Sequence, residues 1–126
     1  MTTPGTPSAR DTATLGSAGE LATLARILPH LPAADDAEVG PGDDCAVVRA
    51  PDGRFVITTD MMIEGPDFRR AWSTPHDLGR RAATSNLADV AAMGARPTAL
   101  LVAIAAPAGT PVADLEALAD GLREVQ

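Results

Sequence analysis

"STPHDLGRRAATSNLADVAAMGARPTALLVAIAAP", residues 73 to 107, decides the fold. Its first part follows the rules of a helix. Thr74 stands where a side-chain oxygen can cap the first turn, and Pro75 takes the first helical position, where its missing N–H costs nothing. Gly94 stands where a left-handed residue can close the last turn. The stretch "ALLVAIAAP" (99–107) then runs apolar without alternation, the pattern of a strand covered on both faces. A long helix feeding a buried strand predicts an α/β protein.

The flanking segments extend that reading. "SAGELATLARILPHL" carries Leu21, Leu24, Ala25 and Leu28 at spacings of three and four, which predicts an amphipathic helix. Ser17 with Glu20 fits a capping box there, and Pro29 and Pro32 end the helix. "CAVVRA" and "RFVITTD" are rich in Val, Ile and Thr and flank "PDG", which predicts a β-hairpin. "MMIEGPDFRRAWS" reads as a loop broken at Gly65-Pro66. Thr110 and Pro111 open a last helix, with Leu115, Leu118, Leu122 and Val125 on one stripe. The order α, β, β, α, β, α predicts a mixed β-sheet with helices packed on it, α/β or α+β in class. Residues 1 to about 17, rich in Thr, Pro, Gly and Ser, read as a disordered arm, leaving 18–126 as the domain.

Composition narrows the function. The chain has 126 residues, enough for one domain with a core. Tyrosine is absent and the aromatics are Phe55, Phe68 and Trp72, so Ala, Val, Leu and Ile must fill that core. A net charge of −7 argues against nucleic-acid binding through a basic surface. It does not exclude phosphate ligands, which acidic sites bind through divalent cations. The single cysteine, Cys45, excludes an internal disulfide, and it reads as a small core side chain in a reduced, cytoplasmic compartment. The polar N-terminus lacks a secretory signal, and no apolar run reaches membrane-spanning length, so no membrane partner is expected.

The carboxylates carry the chemistry. In "VGPGDDCAVV" (39–48), Asp43 and Asp44 adjoin at the mouth of a strand, where like charges repel. Thr58, Thr59 and Asp60 end the next strand. Asp89 shares a helix face with Asn86 among alanines, where a carboxylate needs a partner. Magnesium is a hard cation that takes carboxylate and hydroxyl oxygens, with substrate phosphates completing its shell. The alternatives stay open at this point: Asp43 as a turn residue, Asp60 as a loop cap, Asp89 bonded to backbone. The spacing matches neither an EF-hand nor a GxxxxGK[ST] loop. His30 and His76 read as surface residues, and the Arg69-Arg70 and Arg80-Arg81 pairs as solvated faces.

"GPGDDCAVV", "ITTDMMIEG" and "NLADVAAMGARPTALLVAIAAP", in this order, closely resemble the N-terminal half of the thiamine-monophosphate kinase family. The resemblance spans roughly Gly19 to the C-terminus. The wider superfamily includes aminoimidazole ribonucleotide synthetase, selenophosphate synthetase and a hydrogenase maturation protein, which share a fold and an ATP-phosphate chemistry. It implies an ATP- and Mg2+-dependent phosphorylation of thiamine monophosphate to thiamine diphosphate by direct transfer. By the same resemblance Asp44, Thr58, Thr59, Asp60 and Asp89 are the metal-binding residues, no residue is assigned as catalytic, and the domain forms a homodimer through its sheet. Asp67 stands at the substrate-binding position where the family usually has histidine, and Ala88 replaces the serine of the frequent "NLSD". The family's glycine-glycine-aspartate ATP motif and second domain lie beyond Gln126, so this chain is expected to be a fragment with little turnover of its own. Two other readings stand beside the kinase: a superfamily ATP-dependent enzyme with a different substrate, and a non-catalytic dimerisation or binding remnant.

Overall fold

The computed structural model describes residues 11–33 and 36–125. The first ten residues of the expected disordered arm lie outside them. The rest of that arm is ordered against the body of the protein. Thr14 caps helix α1 (Leu15–Ala18) in a capping box with Ser17. Leu15 N donates to Thr110 O at 2.8 Å and Val112 N to Ala13 O at 2.9 Å, which lashes the arm to the start of the last helix. The expected box of Ser17 with Glu20 is not made. Gly19, at φ 79°, breaks the path and begins a new helix, α2 (Glu20–Ile27).

The stripe that α2 buries also differs from the expected one. Thr23 and Ile27 point inward, while Leu21 is 83% exposed and Leu24 41%. The turn at Gly19 sets the rotation of α2, and Thr23 Oγ1 anchors it by donating to Gly19 O at 2.7 Å. A short 3-10 turn, Leu28–His30, ends the helix with Pro29 inside it.

Helix α3 (Pro75–Ala92) follows its sequence signals closely. Thr74 caps it with Asp77 in a capping box, Pro75 opens it, and Gly94 turns the chain out at φ 69°. Helix α4 (Val112–Glu124) packs on α3 so tightly that glycine is required on both sides. A Cβ at Gly79 would overlap the Leu118 carbonyl oxygen and lie 2.9 Å from Leu122 N; one at Gly121 would overlap the His76 carbonyl oxygen and lie 2.9 Å from Arg80 N. The core is aliphatic and helical, as the scarcity of aromatics requires: Ile27, Leu78, Ala83, Val112, Leu115, Ala119 and Leu122 are buried. Of the expected α4 stripe, Leu115 and Leu122 are buried, and Leu118 and Val125 half-buried.

The sheet is the main departure from the sequence reading. The Pro51-Asp52-Gly53 turn forms, with Gly53 N donating to Ala50 O at 2.9 Å and Gly53 at φ 76°. Its arms do not pair with each other. Val47–Val48 (β2) pairs antiparallel with Ala37–Val39 (β1), a segment the sequence presents as polar turn. The run 54–60 and the run 99–107 form no strand and join no ladder among the described residues. The expected burial of the second run fails too: Leu101 is 78% exposed, and Ile57 in the first run 72%. The class is therefore mixed α/β, with four helices and one two-stranded antiparallel sheet among the described residues. No described helix is long and apolar enough to cross a membrane.

Candidate metal and phosphate site

The residues singled out as metal ligands lie on three separate segments. Asp43 and Asp44 follow the Gly40-Pro41-Gly42 turn, where Gly42 adopts φ 112°, a conformation that a side chain would strain. Asp43 Oδ1 accepts the Asp44 N–H at 2.9 Å, so Asp43 serves its own turn. The Asp44 carboxylate is exposed and receives no hydrogen bond among those formed by the described residues. Thr58, Thr59 and Asp60 end the 54–60 run before the loop, and Asp60 Oδ1 accepts the Met61 N–H at 2.8 Å. Asp89 projects from α3.

The structure brings two of these segments together. Thr58 Oγ1 donates to Asp89 Oδ2 at 3.5 Å, joining residues 31 apart in sequence. Asp89 is exposed, so the burial penalty that made it conspicuous in the sequence does not apply. Its neighbour Asn86 is satisfied within the helix, donating to Ala82 O at 2.9 Å. Among the described residues no three carboxylate, histidine or cysteine side chains stand together as a metal-binding group. The donor set nevertheless suits magnesium: every candidate atom is a carboxylate or hydroxyl oxygen, exposed or half-exposed, with lone pairs to spare.

Asp67 lies in the loop between the Thr58–Asp60 segment and α3. Its Oδ2 accepts the Ile63 N–H at 2.7 Å, and Arg81 Nη1 on α3 donates to its backbone carbonyl at 2.6 Å. Arg69, an obvious cation for this carboxylate, instead stacks over Trp72, with 4.9 Å from guanidinium carbon to ring centroid. The other arginines of the two basic pairs are likewise engaged: Arg70 with Glu64 at 3.0 Å and Arg80 with Glu124 at 3.4 Å. Cys45 is exposed rather than a core residue, because the strand it was expected to open begins only at Val47.

Sequence reading missed the charge pattern that holds α4. Glu116, Asp120 and Glu124 recur every four residues on one face of the helix. Arg26 pairs with Glu116 at 2.8 Å and also bonds Asp11; His30 Nδ1 meets Asp120 at 3.0 Å; His76 Nε2 meets Glu124 at 3.1 Å. The Arg26 hydrogen bond lowers the Glu116 pKa, and the His30 hydrogen bond lowers that of Asp120. The spacing of the acids was the available signal, and it makes both histidines helix-docking residues.

Comparison with known proteins decides the family. The AIR synthase related protein N-terminal domain matches residues 42–126. The chain belongs to that family. It is also 46% identical over 124 residues to a thiamine-monophosphate kinase of Mycobacterium tuberculosis, a match covering 98% of this chain and 37% of the relative. A thiamine-monophosphate kinase of Corynebacterium glutamicum is 42% identical over 93% of the chain and 34% of its own length. One from Bacillus subtilis is 35% identical over 70% of the chain and 27% of its own length. The matches thus take in 27–37% of the length of these relatives. No solved structure matches it significantly.

Proposed function

We propose that this chain is the ATP- and Mg2+-binding N-terminal domain of a thiamine-monophosphate kinase. The observation that carries the reading is the 46% identity to the mycobacterial kinase, which runs through nearly the whole chain and takes in every candidate ligand segment. Asp44, Thr58, Thr59, Asp60 and Asp89 would hold the magnesium, and Asp67 stands on the substrate-binding loop. Magnesium, when bound, neutralises the oxygens of the ATP phosphates. A phosphate oxygen of thiamine monophosphate attacks the γ-phosphorus, the bond to the bridging oxygen breaks, and ADP leaves with its electron pair. That nucleophile is already an anion at neutral pH, so no protein base is required. The work left to the protein is binding and alignment, which accounts for a site built of ligands with no assigned catalytic residue.

The active form in this reading is a cytoplasmic homodimer. Support comes from the runs 54–60 and 99–107, which have exposed Phe55, Ile57, Leu101 and Ile104 and no backbone ladder among the described residues. Exposed apolar surface of this kind marks a protein–protein interaction site. The free, exposed Cys45 fits a reducing compartment. The test is chromatographic detection of thiamine diphosphate from ATP, Mg2+ and thiamine monophosphate, on this chain and on any longer product of its reading frame. The chain alone is expected to stay well below an ordinary enzyme rate of about 1 per second, and a longer product to reach it. ATP consumption that depends on a different acceptor, or none in any form, would refute the kinase reading.

A further inference from the structure

We propose that Asp67 is a positioning residue. Its carboxylate clamps the 63–68 loop by accepting the Ile63 N–H, and so holds the substrate-side loop in register with the metal-ligand segment. The inference rests on the kinase reading above for its functional half.

The loop is braced at every level. Ile63 N donates to Asp67 Oδ2 at 2.7 Å, and Asp67 N returns a bond to Ile63 O at 3.0 Å. Gly65 N reaches across to Phe68 O at 2.8 Å, at φ 103°, where a side chain would be strained. Arg70 Nε closes the outside of the loop on Glu64 at 3.0 Å. Arg81 then ties the Asp67 carbonyl to α3. Of these braces the Asp67 carboxylate is the one that ties a side chain at the loop's end to the backbone at its entry.

Location gives the clamp its consequence. Met61 and Met62 alone separate Ile63 from Asp60. The helix that receives the loop through Arg81 is the one that carries Asp89, which meets Thr58. The clamp therefore lies on the short path between two of the ligand segments. If it opens, the Thr58–Asp60 segment is no longer fixed relative to Asp89. Among the described residues the carboxylate makes no ion pair: Arg81 bonds the Asp67 carbonyl instead, Arg70 pairs with Glu64 and Arg69 stacks on Trp72.

Two substitutions separate clamp from ligand. Asp67→Asn keeps an oxygen that can accept the Ile63 N–H but loses the charge, whereas Asp67→Ala loses both. The first readout is amide hydrogen exchange at Ile63 in this chain, which needs no activity. Asn should keep Ile63 protected, and Ala should speed its exchange roughly tenfold or more. The second readout is steady-state kinetics with thiamine monophosphate in whichever form turns it over. Ala should raise KM about tenfold with much less effect on kcat, and Asn should lower kcat/KM several-fold less than Ala does. Unchanged Ile63 exchange in Asp67→Ala would overturn the clamp. A loss of kcat/KM in Asp67→Asn as large as in Asp67→Ala, with Ile63 still protected, would overturn the positioning role and make the carboxylate charge itself a substrate or metal contact. Faster exchange in Asp67→Ala with unaltered kinetics would overturn the positioning role. Absence of turnover in every form would defeat the kinase reading, yet Ile63 exchange would still decide the clamp.

Discussion

Replacing Gly79 by alanine sets two opposed effects against each other. In an isolated helix the change is favourable, because alanine holds about 1 kcal/mol over glycine in a helix interior. Here the new Cβ would overlap the backbone oxygen of Leu118 and stand 2.9 Å from Leu122 N. Carbon atoms at contact need ~3.5 Å, and a carbonyl in the middle of α4 cannot swing aside as a side-chain tip can. The helices must separate, and the loss spreads to Leu78, Ala83, Ala119 and Leu122, which are buried around them. Overpacking a tight site costs about 1–3 kcal/mol, and an immovable backbone target belongs at the top of that range. Net of the propensity gain, Gly79→Ala should cost about 2 kcal/mol, or roughly 8 °C in Tm for a chain of this size. Gly121→Ala should behave alike, since its Cβ meets the same crossing from the other side. The double variant should lose less than the sum, because one separation of the helices relieves both overlaps. Thermal unfolding followed by circular dichroism reads all three. A Tm for Gly79→Ala equal to or above the parent's would show that propensity wins and that the helices do not approach as closely as described.

Thr74→Ala removes the α3 cap and should cost about 1 kcal/mol in a denaturant titration, with the chain still folded. Acid should weaken the docking of α4. The pKa values of Glu116 and Asp120 are lowered on folding by Arg26 and His30, and that of Asp77 by Thr74, so their stabilisation is complete above the unfolded values and drains away as pH falls through the folded ones. Urea midpoints should therefore drop steeply below about pH 4, and Asp120→Asn should flatten that drop. Asp89→Asn should weaken Mg2+-dependent nucleotide binding about tenfold or more by calorimetry while leaving Tm unchanged, since the side chain is exposed and α3 keeps its packing.

The helices were more legible than the strands, and the reason is physical. Helix α3 is specified locally: Thr74, Pro75, Asp77 and Gly94 each act within a turn or so of their own position. A strand is specified by its partner. Nothing in "CAVVRA" says that Val47 and Val48 will pair with Ala37–Val39 rather than across the Pro51-Asp52-Gly53 turn, and that turn forms either way. The apolar run 99–107 reads as a covered strand, yet it joins no ladder among the described residues and Leu101 stays 78% exposed. On α2 a single glycine reset the face, so Thr23 became buried in place of Leu21. For the site, the residue types pointed to oxygen ligands, and Thr58 with Asp89 do meet. The hold of Asp67 on Ile63 was not legible, because a hydrogen bond to a loop amide leaves no compositional trace.

The central claim is that carboxylates from three separate segments share magnesium and ATP phosphates. Manganese(II), which takes the same oxygen ligands, broadens the NMR signals of nearby nuclei and can replace magnesium. A 15N-labelled sample of this chain with a non-hydrolysable ATP analogue, titrated with substoichiometric manganese, gives the test. The account predicts that the amide signals of Asp44, Thr58, Thr59, Asp60 and Asp89 broaden together, and that excess Mg2+ restores them. Broadening centred instead on the acidic face of α4, at Glu116, Asp120 and Glu124, or spread evenly over the acidic surface, would contradict it.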